Sequence, residues 1–223
     1  MIRLCIFDMD GLLIDSERYM WTVSMAQACK EQGQIMTDEF HHTFMGMNLA
    51  SVGQKLKNEY GQDFDTDLFF ERCTQINSGI IKQGIPLMKG ARELLDYLKE
   101  NNIYTCIGTT TPRKGTMDLL TANKMLDDFD GIVCGDEIEH GKPAPDIYLK
   151  CLSLFDVDKS EALIFEDGQA GAEAAIASGM RLVLVPDLAS LDENVRSKSF
   201  KIIEDLSKII EVIKEENERT TSV

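Results

Sequence analysis

The chain has 223 residues, 43% of them hydrophobic, and 23 Lys and Arg stand against 38 Asp and Glu for a formal charge of −15. That length suits one large domain, or one domain carrying a smaller insert. So acidic a surface repels phosphodiester backbones and anionic lipid, so nucleic-acid and membrane binding are not expected, although a locally positive cleft for a small anion remains possible.

The sequence starts MIRLCIFD, with no charged leader ahead of a long apolar run. No apolar stretch approaches the roughly 20 residues that span a bilayer. Cys5, Cys29, Cys73, Cys106, Cys134 and Cys151 lack metal-ligand spacing and read as small buried hydrophobes in a reducing compartment. A cytoplasmic protein is expected, with a monomer as the default.

Residues 2–7 form the first short apolar run, read as a buried strand. It ends in Phe7-Asp8-Met9-Asp10-Gly11, two carboxylates at i and i+2 before a glycine. The glycine predicts a turn that splays them apart, and two like charges need a cation or hydrogen bonds nearby. An acidic turn in solvent is the plainer alternative for this motif taken alone.

About 90 residues without strand character follow. Helical patterns cover residues 17–32, 37–44, 49–60 and 65–82, which predicts an inserted helical-bundle cap domain over 16–86. Within it, His41 and His42 read as structural. Met20, Trp21, Phe44 and Met45 are candidates for a substrate-facing surface, although such stripes are more often core.

Strand and helix then alternate. Strands are expected at 103–108, 131–134, 162–165 and 181–185, and helices at 91–100, 114–123, 146–154, 169–178 and 206–216. This pattern predicts an α/β fold, a Rossmann-like doubly wound parallel sheet of five main strands formed by residues 1–15 and 87–223. The strand ends carry the chemistry. Thr109-Thr110-Thr111 offers hydroxyls and amides to phosphate oxygens, or a cap to the next helix. Glu166-Asp167 supplies oxygen ligands suited to a hard cation. Lys142 sits between Gly141 and Pro143 in a loop. Arg18, Lys82, Arg113 and Lys114 are read as surface charges first and anion contacts second.

In this order DMDG, TTT, GKPAPD and FEDG resemble the haloacid dehalogenase superfamily, in its β-phosphoglucomutase-like subfamily with a helical cap. The likeness spans nearly the whole chain. It implies Asp8 as the nucleophile that forms an aspartyl-phosphate and Asp10 as general acid and base. Thr109, with Thr110 and Thr111, would hold the phosphoryl group. Lys142 would offset its charge. Mg²⁺ would bind Asp8, the backbone carbonyl of Asp10, Glu166 and Asp167. The implied activity is a Mg²⁺-dependent phosphatase of a small phosphorylated metabolite, a sugar phosphate or nucleoside-type monophosphate. Aspartate at position 10 fits ester chemistry rather than dehalogenation. A phosphosugar mutase and a non-catalytic phosphate-binding regulatory protein are the alternatives. Two features of the mutase subgroup are missing: residues 16–21 hold no histidine, and residues 45–49 hold no arginine.

Overall fold

Short apolar runs with no polar interruption suit strands covered on both faces. Six parallel strands form one sheet: β1 (Leu4–Phe7), β2 (Tyr104–Gly108), β3 (Gly131–Val133), β4 (Ala162–Glu166), β5 (Arg181–Leu184) and β6 (Lys201–Ile202), in the order β3-β2-β1-β4-β5-β6. The computed structural model describes residues 1–44, 49–188 and 190–221. The five expected strands are present, each within two residues of its predicted bounds. The sixth is an exposed two-residue edge that no apolar pattern announces.

The chain divides into two compact units, one of Met1–Asp15 with Pro86–Val223 and one of Ser16–Ile85. Pro86 goes with the first unit, where its carbonyl accepts the Asp15 amide at 3.0 Å. The second unit is helical: a π-helical stretch (Glu17–Thr22) runs into α1 (Val23–Glu31), followed by α2 (Asp38–His42), α3 (Leu49–Tyr60) and α4 (Thr66–Gln83). Met25, Cys29, Phe44, Leu56, Phe69 and Cys73 fill its core. Phe44, a candidate for a substrate surface, stacks edge-on against Phe40 in that core. Met45 and the arginine-free segment fall largely outside the described residues.

In the first unit the helices are α5 (Ala91–Glu100), α6 (Arg113–Ala122), α7 (Asp146–Ser153), α8 (Gln169–Ser178), α9 (Glu193–Lys198) and α10 (Ile209–Thr221). Among the described residues no helix is long and apolar enough to cross a membrane. All six cysteines are free and buried.

One register matters for function. Phe7 pairs with Phe165, and their rings stack 4.7 Å apart on one face of the sheet. Successive strand residues alternate faces, so Asp8 and Glu166, one step on, emerge side by side toward the other. That face carries Leu4, Ile6, Ala162 and Ile164 and is covered by Ile147, Tyr148 and Cys151 of α7 and Ala172 and Ala175 of α8. Each large side chain buried here contributes roughly 1.5–3 kcal/mol. The strands are thus anchored independently of the charges at their ends.

Candidate active site

The strand order reverses direction across β1 and β4, where open α/β sheets place their ligand crevices. Asp8, Glu166 and Asp167 all lie at the carboxyl ends of these two strands, and all three are buried. Each offers a carboxylate oxygen within 4.8 Å of the others.

The Lys142 ammonium, on a side chain only 6% exposed, lies 2.5 Å from Asp8 Oδ1 and 2.6 Å from Glu166 Oε1. Its loop is closed by His140 Nδ1 at 3.0 Å from Asp146 Oδ2 and by Ala144 N donating to Gly141 O at 3.0 Å. Burial works against this ammonium. The facing Asp8 and Glu166 more than compensate, and its pKa is held well above the ordinary lysine range. Burial also pushes Asp8 up, to about 7. Lys142 opposes the shift, and Glu166 and Asp10 reinforce it.

Two contributors escaped sequence reasoning. Tyr148 of α7 is fully buried, donates its hydroxyl to Glu166 Oε1 at 2.6 Å, and lies with its ring 5.0 Å from the Lys142 ammonium. Burial first, then Glu166, holds its hydroxyl well above the usual tyrosine range, so it remains a donor. Gly171 of α8 faces the Glu166 carboxylate so closely that a Cβ there would overlap it. Glycine inside a helix costs roughly 1 kcal/mol relative to alanine, which was the available signal. Glu166 Oε2 accepts the amides of Asp167 and Gly168 at 3.0 and 3.1 Å.

Asp10 turns the other way. Gly11, at φ +82°, takes a conformation that favours glycine and begins the expected turn. Asp10 Oδ2 accepts the Thr111 hydroxyl at 2.7 Å and the Thr109 hydroxyl at 3.3 Å, while Thr109 Oγ1 accepts the Thr111 amide at 3.1 Å. Thr110 stays exposed, and its backbone carbonyl packs on Gly135. The anticipated threonine cap does not form. Pro112 precedes α6 without a side-chain cap bond, and Asp136 accepts the Arg113 amide at 2.9 Å. Arg113 is bound to Glu137 and to the Ile132 carbonyl, and Lys114 pairs with Asp118, as suits surface charges.

Asp8, Glu166 and Asp167 thus cluster at the strand ends, with Asp8 and Glu166 sharing one ammonium. The excess of negative charge and the all-oxygen donor set fit a hard divalent cation such as Mg²⁺.

Known proteins resemble this chain in sequence and in fold. The profile of "Haloacid dehalogenase-like hydrolase" matches residues 5–185. A "Probable pseudouridine-5'-phosphatase" of Drosophila melanogaster is 33% identical over 190 residues, 82% of this chain and 81% of the relative. A "Phosphorylated carbohydrates phosphatase" of Thermotoga maritima is 28% identical over 182 residues, 80% of this chain and 82% of the relative. The solved structure of a "putative beta-phosphoglucomutase" from Thermotoga maritima superposes with a TM-score of 0.82 at 26% identity, covering 96% of this chain and 99% of the other. The chain belongs to the haloacid dehalogenase-like hydrolase family and is a phosphoric monoester hydrolase by class.

Proposed function

We propose that the chain hydrolyses a small phosphorylated metabolite, a sugar phosphate or nucleoside-type monophosphate, through a covalent phosphoryl group on Asp8. The observation that carries this reading is the opposed disposition of Asp8 and Asp10. One carboxylate is fixed beside a buried ammonium and the other is held by two hydroxyls. The two relatives named for pseudouridine phosphate and phosphorylated carbohydrates support the substrate class.

In the first step an Asp8 oxygen forms a bond to phosphorus as the ester P–O bond breaks. Asp10 gives its proton to the departing oxygen. In the second step Asp10 takes a proton from water as that water attacks the phosphoryl-Asp8, which frees phosphate and restores the carboxylate. Splitting one slow displacement into two lowers each barrier. Lys142 offsets the charge gathered by Asp8 and the phosphoryl oxygens. The Thr109 hydroxyl, with Thr111 beside it, turns from Asp10 to the arriving phosphoryl group, and the exposed Thr110 contributes at most its amide. Asp8, Asp167 and the Asp10 carbonyl would hold Mg²⁺, with Glu166 adjacent. When bound, it neutralises phosphoryl oxygens and the carboxylate facing them.

Phosphate release from sugar phosphates, nucleoside monophosphates and an aryl phosphate, with Mg²⁺ or with EDTA, tests the proposal. Turnover should need the metal and fall by about four orders of magnitude or more in Asp8→Asn. Retention of full Mg²⁺-dependent turnover by that variant would discard the mechanism. The likeness to a mutase structure keeps a second reading in play, and faster isomer formation than phosphate release with a sugar bisphosphate activator would favour it.

A further inference from the structure

Gly115 lies inside α6, although glycine is among the poorest helix formers and needs a reason to stand there. A Cβ at that position would meet the Thr111 methyl carbon at 3.1 Å. Thr111 is held on its other sides as well. Its carbonyl accepts the Gly135 amide at 3.3 Å and the Thr116 hydroxyl at 3.2 Å, and its amide donates to Thr109 Oγ1 at 3.1 Å. Gly135 comes so close only because it has no side chain, since a Cβ there would overlap the Thr110 carbonyl. Asp136, next along that loop, ties it to α6 by accepting the Arg113 amide at 2.9 Å. With its backbone fixed in this way, Thr111 sets its methyl against Gly115 and its hydroxyl 2.7 Å from Asp10 Oδ2.

We infer that Gly115 is a positioning residue for the general acid: the notch it leaves in α6 seats the Thr111 methyl and so aims the Thr111 hydroxyl at Asp10. The inference rests on the hydrolytic reading above, in which Asp10 protonates the departing oxygen. Methyl and hydroxyl leave the same Cβ of a stiff, β-branched side chain, so displacing one swings the other. Thr109 is the more distant donor, at 3.3 Å from Asp10. It can turn to the phosphoryl group while Thr111 keeps Asp10 in place.

Gly115→Ala fills the notch. The loss should depend on the leaving group, because an acid matters most where the departing oxygen is strongly basic. The readout is kcat/KM, which covers the steps up to formation of phosphoryl-Asp8. It should fall about tenfold on an alkyl phosphate and less than about threefold on nitrophenyl phosphate, whose leaving oxygen needs little help. Thr111→Ser keeps the hydroxyl and removes the methyl that a new Cβ would meet. On that background Gly115→Ala should change kcat/KM for the alkyl phosphate by less than about twofold. Couplings from the Thr111 methyl carbon to its own amide nitrogen and carbonyl carbon report its rotamer. They should show one rotamer in the native protein and an average of several in Gly115→Ala.

Equal losses on the two phosphates, the same Gly115→Ala effect with and without Thr111→Ser, or unchanged couplings would each overturn the assignment. If Gly115→Ala folds poorly, adding Thr111→Ser should restore folding, and a double variant that also fails to fold would overturn it too. If the native enzyme releases no phosphate, the hydrolytic reading fails, and the couplings still decide whether Gly115 sets the direction of Thr111.

Discussion

On the β1–β4 side of the site, Asp8, Glu166 and Lys142 are buried and bound to one another, with Tyr148 and two amides closing the ring of donors. On the β1–β2 side, Asp10 is only partly buried and is held by two threonine hydroxyls. The two aspartates are two residues apart, and the turn at Gly11 sends them into these different surroundings. Buried charges in direct contact are expensive to separate. A carboxylate at the edge of solvent, held by neutral hydroxyls, can exchange partners at little cost. The contrast fits the proposed mechanism, in which a fixed electrostatic frame is paired with an acid/base that gains and loses a proton in each cycle.

Removing the frame's cation should break the contrast most severely. Lys142→Met leaves Asp8 and Glu166 facing each other without a counter-charge, at a cost of roughly 3–5 kcal/mol in urea unfolding. Its turnover should fall by about three orders of magnitude, comparable with loss of a main electrostatic stabiliser. A variant of native stability would show that the ammonium is not what permits the burial. The mobile half should respond differently. Thr111→Val removes the shorter of the two hydroxyl bonds to Asp10 and should cost less than about 1 kcal/mol of stability, because the group is partly solvated. Its kcat should still fall about tenfold, as expected for a misplaced proton donor. Equal stability losses in the two variants would erase the distinction.

Much of this was legible in the sequence, and the omissions have physical causes. The five main strands were readable because strands buried on both faces must be apolar throughout. The β6 edge is two exposed residues, and α9 is a six-residue polar helix whose one announcement is the Asp192 side chain accepting the Val195 amide at 2.8 Å. Asp8, Glu166 and Asp167 could be named because charged residues at the ends of apolar strands stand out, and Lys142 because it sits between Gly141 and Pro143 in a loop before α7. That Asp10 would part from Asp8 followed from Gly11. Tyr148 could not be named in the same way, because an aromatic residue in the apolar stripe of α7 looks like core. It is core, and it also carries a hydroxyl that only the register of β4 against α7 reveals. Thr110 shows the opposite limit. Three adjacent hydroxyls look equivalent in sequence, yet the backbone aims two at Asp10 and leaves the third in solvent.

The smallest expected effect lies in the pH dependence of the metal-free protein, and it sharpens the same contrast. Burial raises Asp8 from the ordinary carboxylate value to about 7. Between roughly pH 4 and 7 the folded protein therefore binds a proton at Asp8 that the unfolded chain has already released. Stability from this group must fall as pH rises across that window, because the unfolded state holds fewer protons than the folded one. Asp8→Asn carries no titrating group there, so its stability should decline less than that of the native chain between pH 4.5 and 7.5. The comparison is made by urea unfolding in EDTA, and the difference between the two proteins cancels every other carboxylate. Parallel curves for Asp8→Asn and the native chain would mean that Lys142 fully offsets the burial of Asp8 together with the crowding by Glu166 and Asp10.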